Sequence, residues 1–137
     1  MNFWLIKSEP FKYSWEKFTK DQQTFWDGVR NYQARNNLMA MELGDLCLFY
    51  HSNEGKEVVG VAEVAKTHYQ DPTTEETAWV VVDVKPAYQL KHPVSLHTMK
   101  SDPRLSQMGL IRQPRLSVIA LTKDEFDTVI SLSNEPT

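Results

Sequence analysis

The run Leu46-Cys47-Leu48-Phe49-Tyr50-His51 is apolar at nearly every position, not at every second one. Successive side chains of a strand point to opposite faces, so such a run reads as a strand covered on both sides. A chain containing it must place further layers on both faces of its sheet, here the inside of a small barrel with helices packed outside. Four other runs are β-prone: Phe3 to Ile6, Glu57 to Val64, Trp79 to Val84 and Leu116 to Leu121. Glu9-Pro10 halts the first, because proline lacks an amide proton and disfavours helix at the residue before it. Ser52 to Gly55 is a turn that makes a hairpin of the second and third strands, and Gly60 inside the third implies a bulge or a close approach of another group.

Helical signals fall between these runs. Ser14 caps a short helix through Trp15 to Phe18, and Asn31 to Leu43 repeats Ala34, Leu38, Met39 and Met41 on a core face before Gly44 stops it. Ser95 to Lys100 and Arg104 to Met108 are two short pieces divided by Asp102-Pro103. Thr122 and Glu125 form a T-x-x-E capping box ahead of Phe126, Val129, Ile130 and Leu132. The polar loop at Asp71 to Thr74 is expected to be the most mobile segment, and 134–137 to fray. There is no strand-helix-strand alternation and no glycine-rich phosphate loop. The expectation is therefore one α+β domain over residues 1–137, a small barrel of five to six strands with short flanking helices.

Charge narrows the partners. A net charge of −3 on 137 residues disfavours a broad basic face that coats duplex nucleic acid, so any such site must be local. Four of the five arginines, Arg30, Arg35, Arg112 and Arg115, fall in two short segments, and the fifth is Arg104. The single Cys47 has no thiol to pair with and shares no ligand spacing with His51, His68, His92 or His97, so neither a disulfide nor a metal is expected. No membrane span or signal peptide is visible, and the expected compartment is the cytoplasm, or the nucleus in a eukaryote.

A catalytic constellation is hard to assemble. Cys47 and His51 lie four apart on one strand, about 13 Å by strand rise, too far for a thiolate pair. Ser8, His51 and Asp27 could meet, but Ser8 precedes Glu-Pro and lacks the sharp turn that exposes a hydrolase nucleophile. Two segments carry more: Trp26-Asp27-Gly28-Val29-Arg30-Asn31-Tyr32-Gln33-Ala34-Arg35-Asn36 and Ile111-Arg112-Gln113-Pro114-Arg115-Leu116-Ser117. Arginine planes and aromatic faces stack on a base while amides pair with its edge, a mixture that suits single nucleotides better than a duplex. The alternative is that Trp26 and Tyr32 are core and the arginines are solvated.

These two segments, together with Trp4-Leu5-Ile6-Lys7-Ser8-Glu9-Pro10 and Gly44-Asp45 followed by Phe49-Tyr50-His51-Ser52, resemble the signature blocks of the EVE domain family, in order and from residue 2 to about 132. The resemblance implies a PUA-like fold related to YTH and ASCH domains, with a pocket for a flipped, modified base such as a modified cytosine in DNA or RNA. The module is expected to be monomeric and non-enzymatic, without cofactor or metal. On matching positions it makes Trp26 a stacking wall with Val29 beside it, and Ser8, Asn31 and His51 hydrogen-bonding partners of the base edge. Lys7, Arg30, Arg35, Arg112 and Arg115 would hold flanking phosphates. Other assignments stay open: His51 as a backbone-bonded histidine at a strand end, Lys7 paired with Glu9, Arg112 and Arg115 paired with Asp27 or Asp45, and Tyr50 in the core. A nucleotide hydrolase or a nucleoside binder using the same pocket are the competing functions.

Overall fold

A computed structural model describes residues 1–135. Its strands are β1 (Phe3–Ser8), β2 (Thr24–Phe25), β3 (Leu46–His51), β4 (Glu57–Gln70), β5 (Val80–Ser95) and β6 (Val118–Leu121). Its helices are α1 (Trp15–Asp21), α2 (Tyr32–Ala40), α3 (Leu96–Ser101), α4 (Gly109–Arg112) and α5 (Lys123–Asn134), with one 3-10 turn at Pro103–Leu105. The α+β expectation holds. All six strands join one mixed sheet in the order β2-β5-β4-β3-β1-β6, with β1 and β3 parallel and the other neighbours antiparallel.

The expected barrel is not closed, because the hydrogen-bonded sheet ends at β2 on one side and at β6 on the other. Helix α2 stands where a closing strand pair would: it touches β6 at one end of the sheet and β4 and β5 toward the other. Asn37 on α2 donates its side-chain amide to the Val118 carbonyl at 2.7 Å, giving an edge-strand acceptor a partner from a helix instead of a strand.

Several elements follow directly from the residues. β3 is buried at its four middle positions, as a run apolar on both faces requires. Ser14 caps α1, its hydroxyl accepting from the Lys17 amide, and Asn31 caps α2 by accepting from the Ala34 amide. α2 ends earlier than its apolar repeat predicts, and Met39, expected in the core, is 43% exposed. It follows the fully buried Leu38, and one helical step turns it toward solvent. β4 and β5 run well beyond their β-prone halves. Their outer halves carry Lys66, His68, Pro86 and Pro93, and Pro86 sits opposite Ala62 where the register breaks, so the pairing survives at a bulge that no hydrophobic pattern announces.

The expected fraying over 134–137 lies partly outside the described residues, and Asn134 closes α5. Both reciprocal bonds of the Thr122–Glu125 capping box are made. Thr122→Ala should therefore cost about 1 kcal/mol, read as a lower urea unfolding midpoint at unchanged slope. No described helix is long and apolar enough to cross a membrane.

Candidate functional site

β1 and β3 run side by side and end together, Lys7 opposite Tyr50 and Ser8 opposite His51. Beyond their ends the chain turns back: the Ser8 hydroxyl donates to the Tyr13 carbonyl at 2.5 Å, and the Lys12 and Tyr13 amides donate to the Glu9 carbonyl. Ser8 is thus tied into the turn while its oxygen keeps lone pairs to accept with. Across from this turn the Trp26 amide donates to the Val82 carbonyl at 2.8 Å, which fixes the segment after β2 against β5. Between the two lies a cavity of about 430 Å³ lined by Lys7, Ser8, Glu9, Lys12, Tyr13, Thr24, Phe25, Trp26 and Asp27.

Its walls are aromatic. Trp26 is 8% exposed and packs edge-on to Phe49 at 5.6 Å and to Phe18 at 6.5 Å, so the core holds its ring. Tyr13 stands 6.2 Å from Trp26 at an interplanar angle of 74°, presenting a second face nearly at right angles. The rim carries both signs of charge. Glu9 accepts from the Asn53 amide at 2.7 Å on Oε1, while its buried Oε2 is ion-paired with the Lys12 ammonium at 3.1 Å and accepts no hydrogen bond among the described residues. Asp27, among the described residues, makes no side-chain bond and is the free acceptor. Lys7 is anchored through a 2.7 Å bond to the Pro114 carbonyl, and burial pulls its pKa down.

The remaining predicted site residues are dispersed around this cavity. Val29 is buried in the core behind the segment that follows Trp26. Asn31 and Arg115 line a separate groove of about 350 Å³ with Gln33, Gln113, Pro114 and Leu116. His51 accepts at Nε2 from the Trp15 amide at 3.0 Å, and burial lowers its pKa, which keeps the acceptor nitrogen free of a proton at neutral pH. With the Ser8 proton on a carbonyl and His51 Nε2 on a backbone amide, the two do not form a nucleophile and base. Cys47 is buried, and burial followed by Asp45 pushes its thiol up, as for an inert core cysteine.

The arginines are held differently from the alternatives weighed above. Arg30 pairs at 3.0 Å with Asp71, and its guanidinium lies 5.6 Å from the Trp79 ring centre. Arg35 lies over Tyr32 at 5.0 Å and donates to the Ala78 carbonyl. Together they bind α2 to the 71–79 loop, where Tyr32 and Trp79 stand 5.0 Å apart. Arg112 donates from Nε to the Ser106 carbonyl and is exposed, as is Arg115. Asp45 serves neither arginine, since it accepts from the Asn2 and Glu42 amides and the Trp4 indole.

Sequence reasoning passed over Tyr13, Thr24 and Asp27 as lining and Asp71 as a brace. Tyr13 precedes Trp26 and lies far from it in the chain, but the Glu9-Pro10 turn that returns the chain was a usable signal for it. Among the described residues no group of three or more His, Cys, Asp or Glu is placed to hold a metal.

A mixed α+β sheet whose central parallel strands end at an aromatic cavity, rimmed by ammonium and carboxylate groups, is the build of a small module for a flat, polar ligand. The chain belongs to the EVE domain family, whose model matches residues 2–132. It is 38% identical to thymocyte nuclear protein 1 of Gallus gallus over 96% of this chain and 69% of that protein. A crystal structure of an Agrobacterium tumefaciens protein is 44% identical with a TM-score of 0.96, covering 98% of this chain and 94% of that one. The structure of human THYN1 in complex with 5-methylcytosine-containing DNA is 35% identical with a TM-score of 0.92, covering all of both chains.

Proposed function

We propose that this chain is a PUA-like, monomeric, single-domain DNA-binding module that holds a flipped, modified cytosine in the cavity beside Trp26, in the cytoplasm or, in a eukaryote, the nucleus. The observation that carries this reading is the cavity itself: two aromatic faces, one free carboxylate and two ammonium groups around about 430 Å³. The human relative solved with 5-methylcytosine DNA supports the choice of base.

Cytosine offers an exocyclic amine that donates, and ring N3 and O2 that accept. Asp27 takes the amine, with the Ser8 oxygen as a second acceptor, while the Lys12 ammonium and the Thr24 hydroxyl meet the accepting edge. Trp26 and Tyr13 face the ring and its 5-methyl group. Val29 in the core, Asn31 capping α2 and His51 bonded to the Trp15 amide support the surrounding framework and do not line the cavity. Flipping costs a few kcal/mol, which stacking at roughly 1 to 3 kcal/mol per base and charge-assisted phosphate contacts offset. Lys7, Arg112 and Arg115 meet flanking phosphates, and Arg30 and Arg35 brace the 71–79 loop.

The test is fluorescence anisotropy with matched single-stranded and duplex DNA and RNA carrying cytosine, 5-methylcytosine, 5-hydroxymethylcytosine, N6-methyladenine or thymine at one position. DNA with 5-methylcytosine is expected to bind about tenfold tighter than with cytosine or thymine, a gap of about 1.4 kcal/mol. Because 5-methylcytosine and thymine share the methyl group and differ in the amine, Asp27→Asn is the sharp variant. An amide can also donate to the thymine O4, so the preference over thymine should shrink about tenfold. Equal binding of all five bases would overturn the reading.

A further inference from the structure

A second cavity, of about 310 Å³, opens beside the first and shares Lys7 with it; Lys56, Lys100, Tyr50, Ser52, Asn53, Leu96, Leu110 and Pro114 complete its wall. Three lysines line it and no carboxylate does. Among the described residues none of the three is in an ion pair: the lysine pairs recorded are those of Lys12, Lys17, Lys20, Lys85 and Lys123. On a chain of net charge −3, three unpaired ammonium groups around one hollow repel each other, a cost that a bound anion removes.

The lysines are set there by the backbone. Lys7 is held on Pro114 at 2.7 Å. Lys56 occupies a left-handed conformation, φ +47°, that a lysine rarely adopts, and its carbonyl accepts from the Leu96 amide at 2.8 Å where α3, the helix of Lys100, begins. Glu9, bonded to Asn53 of this wall, lines the first cavity and pairs there with Lys12. Pro114 is shared in turn with the groove of Asn31 and Arg115. The three hollows therefore form a continuous track, with the aromatic cavity at one end and Arg115 at the other.

Resting on the function proposed above, we infer that the Lys7–Lys56–Lys100 cavity is a phosphodiester-binding subsite that takes the backbone of the strand whose base sits beside Trp26. Ammonium groups suit a phosphodiester because they act as point charges that tolerate sliding along the backbone, and the Tyr50 and Ser52 hydroxyls are added donors. The subsite is indifferent to sequence, so it raises affinity for every strand equally and leaves base preference to the aromatic cavity.

The test compares Lys56→Gln/Lys100→Gln with Lys66→Gln/Lys91→Gln, which removes the same charge from exposed positions outside the track. Affinity for single-stranded DNA carrying 5-methylcytosine is measured from about 50 mM to 500 mM salt. Loss of two phosphate contacts should lower the slope of log affinity against log salt by roughly 1.4 and weaken binding at 100 mM at least about tenfold. The 5-methylcytosine to cytosine ratio and the affinity for free 5-methyl-2′-deoxycytidine should not change. If both double variants give the same slope, the subsite is overturned. If the parent shows no base preference but the two slopes still differ, the subsite stands and the base-reading proposal fails.

Discussion

Gly60→Ala is expected to destabilise the protein by about 3 kcal/mol, the upper end of what overpacking a core costs. A Cβ on Gly60 would lie 2.4 Å, 2.5 Å and 2.7 Å from three carbons of the Trp15 indole. The ring has nowhere to move. It packs edge-on to Phe49 at 5.3 Å and to Phe18 at 5.6 Å, and the Trp15 amide is bonded to His51. The measurement is the urea midpoint, and Trp15→Phe in the same background should restore more than half of the loss by opening space for the methyl group. That second change sacrifices no hydrogen bond, because the Trp15 indole N–H is buried without a partner among the described residues. A Gly60→Ala midpoint equal to the parent's would show that β4 can shift away from the ring.

Asp71→Ala is expected to cost a similar amount, about 3 kcal/mol, and to weaken DNA binding about tenfold. The carboxylate is wholly buried and accepts four bonds, from the Gly28 amide at 3.2 Å, Arg30 at 3.0 Å, and the Thr73 amide and hydroxyl at 2.7 Å and 2.5 Å. Removing one partner of a buried pair usually costs about 3 to 5 kcal/mol. The lower figure applies here because the Arg30 side chain is 40% exposed and can be rehydrated. Binding suffers because Asp71 ties down Gly28 and Arg30, the residues that follow Trp26 and Asp27 at the cavity.

The same carboxylate makes the fold acid-sensitive. Burial pushes the Asp71 pKa up, but the bonds from Thr73, Arg30 and Gly28 outweigh it and hold the group at about 2, against 3.8 unperturbed. A depressed folded-state pKa contributes stability that is fully present above pH 4. It is lost as pH falls from 4 through 2, about 2 kcal/mol in all. Chemical unfolding across that range should show the loss in the parent and a flatter profile in Asp71→Ala.

What the residues announced locally, the structure kept. The caps at Ser14 and Thr122 and the doubly apolar β3 depend only on near neighbours in the chain, and each stands where it was read. Strand ends that depend on a distant partner were less legible. The outer halves of β4 and β5 hold each other through bulges, and neither half alone carries an alternating pattern. The cavity was half legible: Lys7, Ser8 and Trp26 line it, whereas Tyr13 and Asp27 reach it through a turn and a positive-φ glycine that composition does not reveal. Asp71 sits in a run of Pro and Thr that reads as loose loop, and only the folded chain shows its carboxylate beneath Gly28 and Arg30.

β1 is laid between β3 and β6, so Phe3 faces Leu46 on one side and Leu121 on the other. Within this sheet the earliest strand in chain order is flanked by the latest, and it waits with an open edge until that strand is made. Loop closures of that length slow folding and expose the intermediate to misassociation. Chains cut short before residue 118 should leave β1 unpaired on that side, and with it the strand end from which Lys7 and Ser8 reach the ligand.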